Sequence, residues 1–167
     1  MSTGPVTIRP ATAGDVPRIV ELIRELADYE RSLDQVTATE DDLRAALFAD
    51  QPAVFAHVAE AGREVVGFAL WFVNFSTWLG RPGMYLEDLY VTPSMRGRGI
   101  GKTLLAELAA TCVRRGYARL EWWVLDWNTN AISFYRSIEA LSMDEWTVNR
   151  LTGHALERAA QGWQIAT

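Results

Sequence analysis

The sequence predicts an α/β fold in which one mixed sheet is covered by helices on both faces. Segments with the two-residue alternation of strands and segments with the 3.6-residue periodicity of helices follow one another along the chain. Their order is strand, two helices, three strands, helix, strand, helix and strand, with a short helix at the C-terminus. This order implies one mixed sheet with helices on both faces.

The N-terminal half carries one predicted strand, then two helices and two strands. The first helix begins near Asp15, with Pro17 in its first turn, and runs to about Tyr29. The second begins at Thr39, where Asp42 completes a capping box. The predicted strands cover residues 6–9, 54–60 and 65–74, and a hairpin turn at 61–64 joins the last two.

The C-terminal half carries a strand that leads into a glycine-rich loop and a long helix. This helix has one apolar face and ends at Gly116, after two arginines in its last turn. Strands are predicted at residues 85–91, 120–125 and 146–151. A short helix is predicted at 128–135, and a C-terminal helix runs through residues 155–159.

The bulk composition indicates a globular protein. At 167 residues the chain is long enough to bury a core, and we predict a single domain over residues 1–167. Hydrophobic residues make up 49% and charged residues 22%, which is typical of globular rather than disordered chains. The net charge of −5 argues against nucleic acid as a partner and is compatible with a cationic substrate.

Cysteine and histidine are too sparse to indicate a disulfide or a metal site. The single cysteine, Cys112, cannot form an intrachain disulfide, and we predict a cytoplasmic location and a buried thiol. The two histidines, His57 and His154, lie far apart without metal-ligand spacing, so we predict no metal. No apolar run reaches membrane-spanning length, so we predict no membrane partner.

The most informative segment is the glycine-rich loop. Gly97, Gly99 and Gly101 stand within five positions, at the start of a predicted helix. Such a loop offers backbone N–H groups at a helix N-terminus, where the helix dipole favours an anion. Arg96 and Arg98 add positive charge at the same place. The loop is therefore predicted to hold a phosphate group.

Three phosphate-binding motifs compete for this loop. The nucleotide P-loop requires a glycine where Arg96 stands, and the dinucleotide fingerprint requires one where Lys102 stands. The spacing Arg-x-x-Gly-x-Gly, formed by Arg96, Gly99 and Gly101, resembles the acetyl-CoA loop of the GNAT superfamily of N-acetyltransferases. From the loop alone, an ordinary glycine-rich turn that binds nothing stays open.

Other segments extend the resemblance over residues 6–151. Asp126-Trp127-Asn128 and Phe134-Tyr135 are similar to the region where this superfamily places a CoA-contacting asparagine and a catalytic tyrosine. Residues 8–12, 25–30, 67–69 and 85–88 resemble the diamine and polyamine subgroup of this superfamily. That subgroup contains the spermidine/spermine and thialysine acetyltransferases. The resemblance implies the GNAT fold, a single mixed, mostly antiparallel sheet with helices on both faces and a splayed pair of central parallel strands.

The resemblance also implies that the chain binds acetyl-CoA as a co-substrate. It assigns the pyrophosphate to the loop and the pantetheine to the backbone of the preceding strand, where the N–H of Val91 polarises the thioester carbonyl. The implied cofactor-binding residues are Leu89, Tyr90, Val91, Arg96, Gly97, Arg98, Gly99, Ile100, Gly101, Lys102 and Asn128.

Direct attack of an amine on the thioester, without an acetyl-enzyme, is the reaction that the resemblance implies. Tyr135 is the candidate general acid for the leaving thiolate. Glu87 is the candidate that attracts the ammonium and accepts its proton through water. The neighbouring Asp88 points to the opposite face of a regular strand, so only one of the two faces the cleft unless a bulge intervenes.

Four more residues are predicted to bind the cationic substrate. Tyr29 and Glu30 carry over from the subgroup as contacts for its far end, although a solvated carboxylate at a helix end is the alternative for Glu30. Asp126 adds negative potential. Trp78, in a loop at the subgroup's substrate channel, is a candidate for cation–π contact.

The tryptophans and one departure from the subgroup bear on assembly and on the acceptor. Most of Trp71, Trp78, Trp122, Trp123, Trp127, Trp146 and Trp163 are interpreted as core or interface residues. Adjacent Trp122 and Trp123 face opposite sides of a strand, and the subgroup's dimers imply a homodimer. The subgroup's glycine before the final hairpin is absent from residues 137–140, near the substrate mouth, so the acceptor stays open.

Two classes of function follow from these observations. The leading one is acetyl-CoA-dependent N-acetylation of a small di- or polyamine or an amine-bearing amino acid. An aminoglycoside, an amino acid α-amine or a protein lysine is the alternative acceptor. The second class is a GNAT-fold protein that binds CoA as a sensor without turnover, against which Glu87 and Tyr135 argue. A nucleotide hydrolase is disfavoured by Arg96.

Overall fold

A computed structural model describes residues 5–162 of the chain. The strands are β1 (Val6–Pro10), β2 (Phe55–Ala61), β3 (Glu64–Ser76), β4 (Arg81–Val91) and β5 (Leu120–Glu121). The helices are α1 (Val16–Tyr29), α2 (Glu40–Phe48), α3 (Ile100–Arg115), α4 (Thr129–Ser137) and α5 (Gly153–Ala160). Short 3₁₀ turns precede α1, follow it and precede α3.

The five strands form one mixed sheet in the order β1-β2-β3-β4-β5. The first three pairings are antiparallel, and β4 pairs with β5 in parallel. Gly62 and Arg63 form the turn between β2 and β3, and Gly62 takes a φ of 69° that its missing side chain permits. The structure therefore confirms the predicted mixed, mostly antiparallel sheet with one parallel pair.

Helices cover both faces of the sheet. Side chains alternate between faces along each strand, so β2 and β3 present one apolar set to α1 and α2 and another to α3. The first set packs Val16, Ile19, Leu22 and Leu47 against Ala56, Val58, Phe68, Leu70 and Tyr90. Helix α3 buries Leu104, Leu105, Leu108 and Cys112, which confirms the buried thiol.

Local signals placed the helix ends correctly. Thr39 and Asp42 form the expected capping box, in which the hydroxyl of Thr39 accepts from the N–H of Asp42 at 3.2 Å. Gly116 ends α3 with a φ of 69°. An ion pair that the sequence did not indicate holds the start of α1. Arg9 donates to both carboxylate oxygens of Asp15, at 2.8 and 2.9 Å.

Two strand predictions were wrong. Residues 146–151 have irregular backbone, and the strand predicted at 120–125 is limited to Leu120 and Glu121. A strand needs a neighbour for its backbone hydrogen bonds. Alternating apolar residues such as Trp146 and Val148 supply the side-chain pattern of a strand but not that neighbour. Trp163, among the tryptophans discussed above, lies outside the described residues.

The chain divides into two compact units, the first ending at Trp123 and the second beginning at Val124. The whole sheet and helices α1 to α3 belong to the first unit, and α4 and α5 belong to the second. Over residues 5–162, none of the helices has the length and apolar character needed to cross a bilayer.

Candidate active site

The glycine-rich loop joins the end of β4 to the start of α3 in the first unit. Gly97 and Gly99 have φ values of 76° and 77°, a left-handed conformation that favours glycine. Gly99 is the N-cap of α3, and its carbonyl accepts hydrogen bonds from the backbone and side chain of Thr103, at 2.9 and 3.1 Å. The first N–H groups of a helix have no partner within the helix. The loop thus presents backbone donors at an exposed helix N-terminus.

Strand β4 contains a β-bulge at Glu87. Leu70 on β3 pairs with Asp88, and the next residue, Trp71, pairs with Leu86, so Glu87 has no partner in this register. A bulge of this kind inserts one extra residue into one strand of an antiparallel pair. The sequence analysis left open whether Glu87 and Asp88 are separated by a regular pleat, and the bulge removes that constraint.

The bulge also decides which backbone groups of β4 face away from β3. Before it, the N–H of Met84 donates to the carbonyl of Arg119 at 2.9 Å, on the β5 side. After it, the N–H of Thr92 donates to the carbonyl of Val66 on β3 at 2.9 Å. N–H directions alternate along a strand. The N–H groups of Leu89 and Val91 therefore point away from β3.

Strands β4 and β5 separate after a short parallel contact. They pair only at Met84 with Leu120 and Tyr85 with Glu121. Within the described part of the chain, the edge of β4 from Leu86 to Val91 has no paired strand on that side. This confirms the predicted splay. The backbone donors of Leu89 and Val91 lie along the open edge.

Asp88, next to the bulge, lies within electrostatic range of two other carboxylates, Glu87 and Glu30. Glu87 is exposed, whereas Asp88 on β4 and Glu30 at the end of α1 are half-buried. The pKa of Asp88 is raised to about 7, first by burial and then by the carboxylates of Glu87 and Glu30. Burial also raises the pKa of Glu30. The structure thus places Glu30 and Glu87, both predicted substrate contacts, within electrostatic range of Asp88.

Arg96 connects the loop to the end of α1. Its guanidinium carbon lies 5.0 Å from the ring centroid of Tyr29 and 5.2 Å from that of Tyr90, within cation–π range. Its Nε donates to the carbonyl of Val91 at 2.9 Å. The sequence analysis assigned Arg96 only to phosphate. In the structure it also brings Tyr29, a predicted substrate contact, next to the loop.

Three other predicted site residues belong to the second unit. Asn128 caps α4, because its Oδ1 accepts from the N–H of Ala131 at 3.2 Å. Tyr135 is half-buried on α4, with its ring centroid 5.3 Å from that of Phe134. Asp126 is exposed. Glu139, in the segment that lacks the subgroup's glycine, has a left-handed φ of 64°.

Trp78 does not lie near the carboxylates within this chain. It is 87% exposed in the turn between β3 and β4. Glu87 stands six positions after Arg81, where β4 begins, and at about 3.3 Å per position the two lie roughly 20 Å apart along the strand. The structure therefore places Trp78 at the tip of the hairpin, whereas Glu87 lies in its middle.

The sequence analysis passed over Asp88 as a functional residue. The sequence did show two adjacent carboxylates, Glu87 and Asp88, on one strand. Which of them faces the cleft depended on the bulge, which the sequence does not reveal. Among residues 5–162, no group of three or more His, Cys, Asp or Glu side chains is arranged to hold a metal ion. The absence of a metal stays a prediction.

Comparison with known proteins connects this geometry to a family. The model of the GNAT acetyltransferase family matches residues 19–138. Thialysine N-epsilon-acetyltransferase from Bos taurus is 40% identical over 166 residues, covering 93% of this chain and 97% of the relative. L-ornithine N5-acetyltransferase from Arabidopsis thaliana is 33% identical, covering 90% of this chain and 86% of the relative.

A solved structure of an integron cassette protein from the mobile metagenome of V. cholerae has the same fold. It superposes with a TM-score of 0.79 at 30% sequence identity and covers 97% of this chain and 99% of its own. The match thus extends over nearly the whole chain.

Proposed function

This chain belongs to the GNAT family of acetyltransferases, and on that premise we propose that it transfers the acetyl group of acetyl-CoA to a primary amine of a small cationic substrate. The substrate is a di- or polyamine or an amine-bearing amino acid. The names of the two relatives place their acetyl groups on thialysine N-epsilon and ornithine N5, which are side-chain amines. The observation that carries the proposal is the pair of carboxylates Glu87 and Asp88 on the strand whose edge is open, with Glu30 in electrostatic range of Asp88.

The glycine loop fits the pyrophosphate of acetyl-CoA. Around Gly97, Gly99 and Gly101, no atom lies within 4 Å of the position that a Cβ would occupy, so the backbone is open to a ligand. Arg98 and Lys102 are exposed beside it and supply positive charge. Ile100 is buried and anchors the first turn of α3.

The open edge of β4 is suited to the pantetheine arm. An extended ligand that joins a sheet edge is held by main-chain hydrogen bonds. The N–H groups of Leu89 and Val91 point to this edge, on either side of Tyr90. We assign to the N–H of Val91 the polarisation of the thioester carbonyl, since a fixed backbone donor stabilises charge that develops on that oxygen.

The carboxylate cluster of Glu30, Glu87 and Asp88 binds the amine and removes its proton. A primary alkylamine has a pKa of ~10.4 and arrives as the ammonium, which three neighbouring carboxylates attract. Glu87 accepts the proton through water. Asp88 is a second acceptor, because its pKa of about 7 makes it more basic than an ordinary carboxylate near neutral pH. The amine lone pair then attacks the thioester carbon directly.

The second unit supplies the groups assigned to the leaving thiolate and to CoA. As the C–N bond forms and the C–S bond breaks, the phenol of Tyr135 donates a proton to the thiolate. Asn128 contacts CoA, and Asp126 adds negative potential for the cationic substrate. These three roles rest on the sequence resemblance.

Tyr29 and Glu30 contact the far end of the substrate. Both stand at the end of α1, where Arg96 stacks on the ring of Tyr29. Trp78 stays a candidate for cation–π contact, although the structure places it at the tip of the β3–β4 hairpin.

Two further predictions concern the whole protein. We propose a homodimer, which is supported by the exposed apolar side chains of Leu125, Trp127, Leu141, Met143, Trp146, Val148, Leu151 and Leu156. We keep the cytoplasmic location, which rests on the single cysteine.

The test of the proposed reaction is thiol release from acetyl-CoA with a panel of amines. The panel contains putrescine, spermidine, spermine, thialysine, ornithine, lysine and an aminoglycoside. We expect saturable release with at least one di-, polyamine or amine-bearing amino acid. Release only with the aminoglycoside would overturn the substrate class, and thermal stabilisation by CoA without any release would indicate a sensor.

The loop assignment has a separate test in Gly101→Ala. Substitution of Gly97 or Gly99 strains the backbone whatever binds, whereas a methyl at Gly101 meets no atom in the free protein. We therefore expect Gly101→Ala to fold at least as stably as the wild type and to lose tenfold or more in CoA affinity by calorimetry. Gly14→Ala, also sterically permitted, is the matched control. Unchanged affinity in Gly101→Ala would refute the assignment.

A further inference from the structure

A second cavity lies on the α3 face of the sheet, away from the glycine loop. It encloses about 340 Å³, a size typical of small-molecule sites. Its floor is formed by β2 and β3, and its sides by the C-terminal half of α3 and the ends of α2 and β1. Thr111 in its wall stands ten residues after Gly101, so about 15 Å of helix separates this cavity from the loop.

Aromatic and aliphatic side chains make up one side of the cavity. The rings of Phe55 and Trp71 are stacked there, with centroids 4.5 Å apart. Leu47 is buried beneath, and Phe48 is 40% exposed at the edge. Trp71 is only 1% exposed, so Phe55 and Phe48 supply the apolar surface that a flat ligand body can contact.

His57 places a hydrogen-bond donor in the same cavity. The side chain is 8% exposed, and its Nδ1 accepts a hydrogen bond from Nε1 of Trp71 at 3.2 Å. Indole nitrogen can only donate, so Nδ1 carries no proton and the neutral ring carries its proton on Nε2. Burial lowers the pKa of His57, which keeps the ring neutral. Among the described residues, that Nε2–H has no hydrogen-bond partner.

The charged groups of the cavity leave one cation without a carboxylate. Arg114 is neutralised by Glu107 at 2.8 Å and also donates to the hydroxyl of Thr111. The guanidinium carbon of Arg115 lies 5.4 Å from the ring centroid of Phe55 and 5.3 Å from that of Trp71. Arg115 also donates a hydrogen bond to the hydroxyl of Tyr117 at 3.3 Å, but within residues 5–162 it forms no ion pair.

We propose that this cavity binds a small carboxylate with a planar apolar body. The carboxylate receives the guanidinium of Arg115 and the Nε2–H of His57, and the planar body packs on Phe55 and Phe48, the two lining aromatic side chains that are not fully buried. One guanidinium and one neutral donor match a single negative charge. A dianion is disfavoured because the carboxylate of Glu107 faces the same space. An amine is disfavoured because Glu107 is already paired.

Titration with benzoate, phenylacetate and indole-3-carboxylate tests the proposal. We expect saturable 1:1 binding of at least one of them by calorimetry, undiminished by saturating CoA. Benzamide and benzylamine, which lack the carboxylate, should bind at least tenfold more weakly. No saturable binding of any carboxylate, or displacement by CoA, would overturn the proposal.

Variants and histidine resonances locate the bound carboxylate. Arg115→Gln should weaken binding at least tenfold, while Arg63→Gln, in the β2–β3 turn, should leave it unchanged. The chain has two histidines, so side-chain ¹H–¹⁵N spectra report on His57 directly, with the exposed His154 as an internal control. Movement of the His57 signals alone supports the site. Binding that leaves His57 unmoved, or that is equal in Arg115→Gln, refutes it.

Discussion

Replacing Asp88 with asparagine should stabilise the protein at pH 8 and lose most of that effect at pH 4.5. In the wild type, burial and the carboxylates of Glu87 and Glu30 raise the pKa of Asp88 from 3.8 to about 7. Between these values the folded state holds a proton that the unfolded state has lost, so stability falls as pH rises through this window. Above pH ~7 the full cost of holding an ionised Asp88 in the folded state is present, and below pH ~3.8 this cost vanishes. Asparagine has no charge to bury at any pH.

The raised pKa of Asp88 sets an upper limit on the unfolding free energy that Asp88→Asn can gain at pH 8. About 7 minus 3.8 is about 3.2 pKa units, and at about 1.36 kcal/mol per unit this corresponds to about 4 kcal/mol. Solvent around the exposed Glu87 screens part of the repulsion. We therefore expect Asp88→Asn to gain about 1–3 kcal/mol in unfolding free energy at pH 8, or about 3–10 °C in Tm.

Urea unfolding at pH 4.5, 6 and 8 measures this effect. The quantity of interest is the difference in unfolding free energy between variant and wild type, which cancels the titration of all other groups. Asp50→Asn, an exposed aspartate after α2, changes the net charge equally and should show no pH-dependent gain. Acetyl transfer by Asp88→Asn should fall, because the second of the two proposed proton acceptors is lost while Glu87 remains. A stability difference that is the same at all three pH values would refute the reasoning.

Three further predictions concern the scaffold. A methyl group at Gly67 would stand 2.7 Å from the carbonyl oxygen of Tyr90, so Gly67→Ala should cost about 1–3 kcal/mol; an unaltered denaturant midpoint would contradict that close approach. Glu139 has a φ of 64°, so Glu139→Gly should stabilise by about 1 kcal/mol, and a lower Tm would count against the strain. Arg9 holds the pKa of Asp15 at about 2, below its usual 3.8. This stabilisation is present above pH ~3.8 and is lost as pH falls through ~2, so Asp15→Asn should cost about 2 kcal/mol at pH 7 and far less at pH 2.5. Equal losses at both pH values, measured by denaturant unfolding, would refute the ion-pair account.

The elements that the sequence predicted well are those whose signal is local and strong. Helices α1 and α3 carry clear apolar faces and recognisable ends, such as Pro17 and Gly116. Strands β2 to β4 combine alternation with turn residues between them. The sequence also located the glycine-rich turn before α3, because left-handed backbone at Gly97 and Gly99 favours the residue type that stands there.

The features that the sequence could not supply depend on partners that are distant in the chain. The bulge at Glu87 exists only relative to the register of β3, so the role of Asp88 was undecided before the structure. The stacking of Arg96 on Tyr29 joins residues 67 positions apart. The strand predicted at residues 146–151 was wrong for a related reason, since side-chain alternation does not specify the neighbouring strand with which a segment would have to pair.

The bulge in β4 makes the length of this strand a constraint in its own right. One extra residue at Glu87 turns the N–H groups of Leu89 and Val91 to the open edge, while Met84 keeps its bond to Arg119. Deleting or inserting a single residue between Leu86 and Val91 would turn the backbone groups that follow it through half a turn. Those that now point to the open edge would then point to β3, and those that now pair with β3 would point to the open edge. Substitutions in this stretch change individual side chains. A change of length would reverse the direction in which each following backbone N–H and C=O group points. We therefore expect this stretch of β4 to tolerate substitutions far more readily than insertions or deletions.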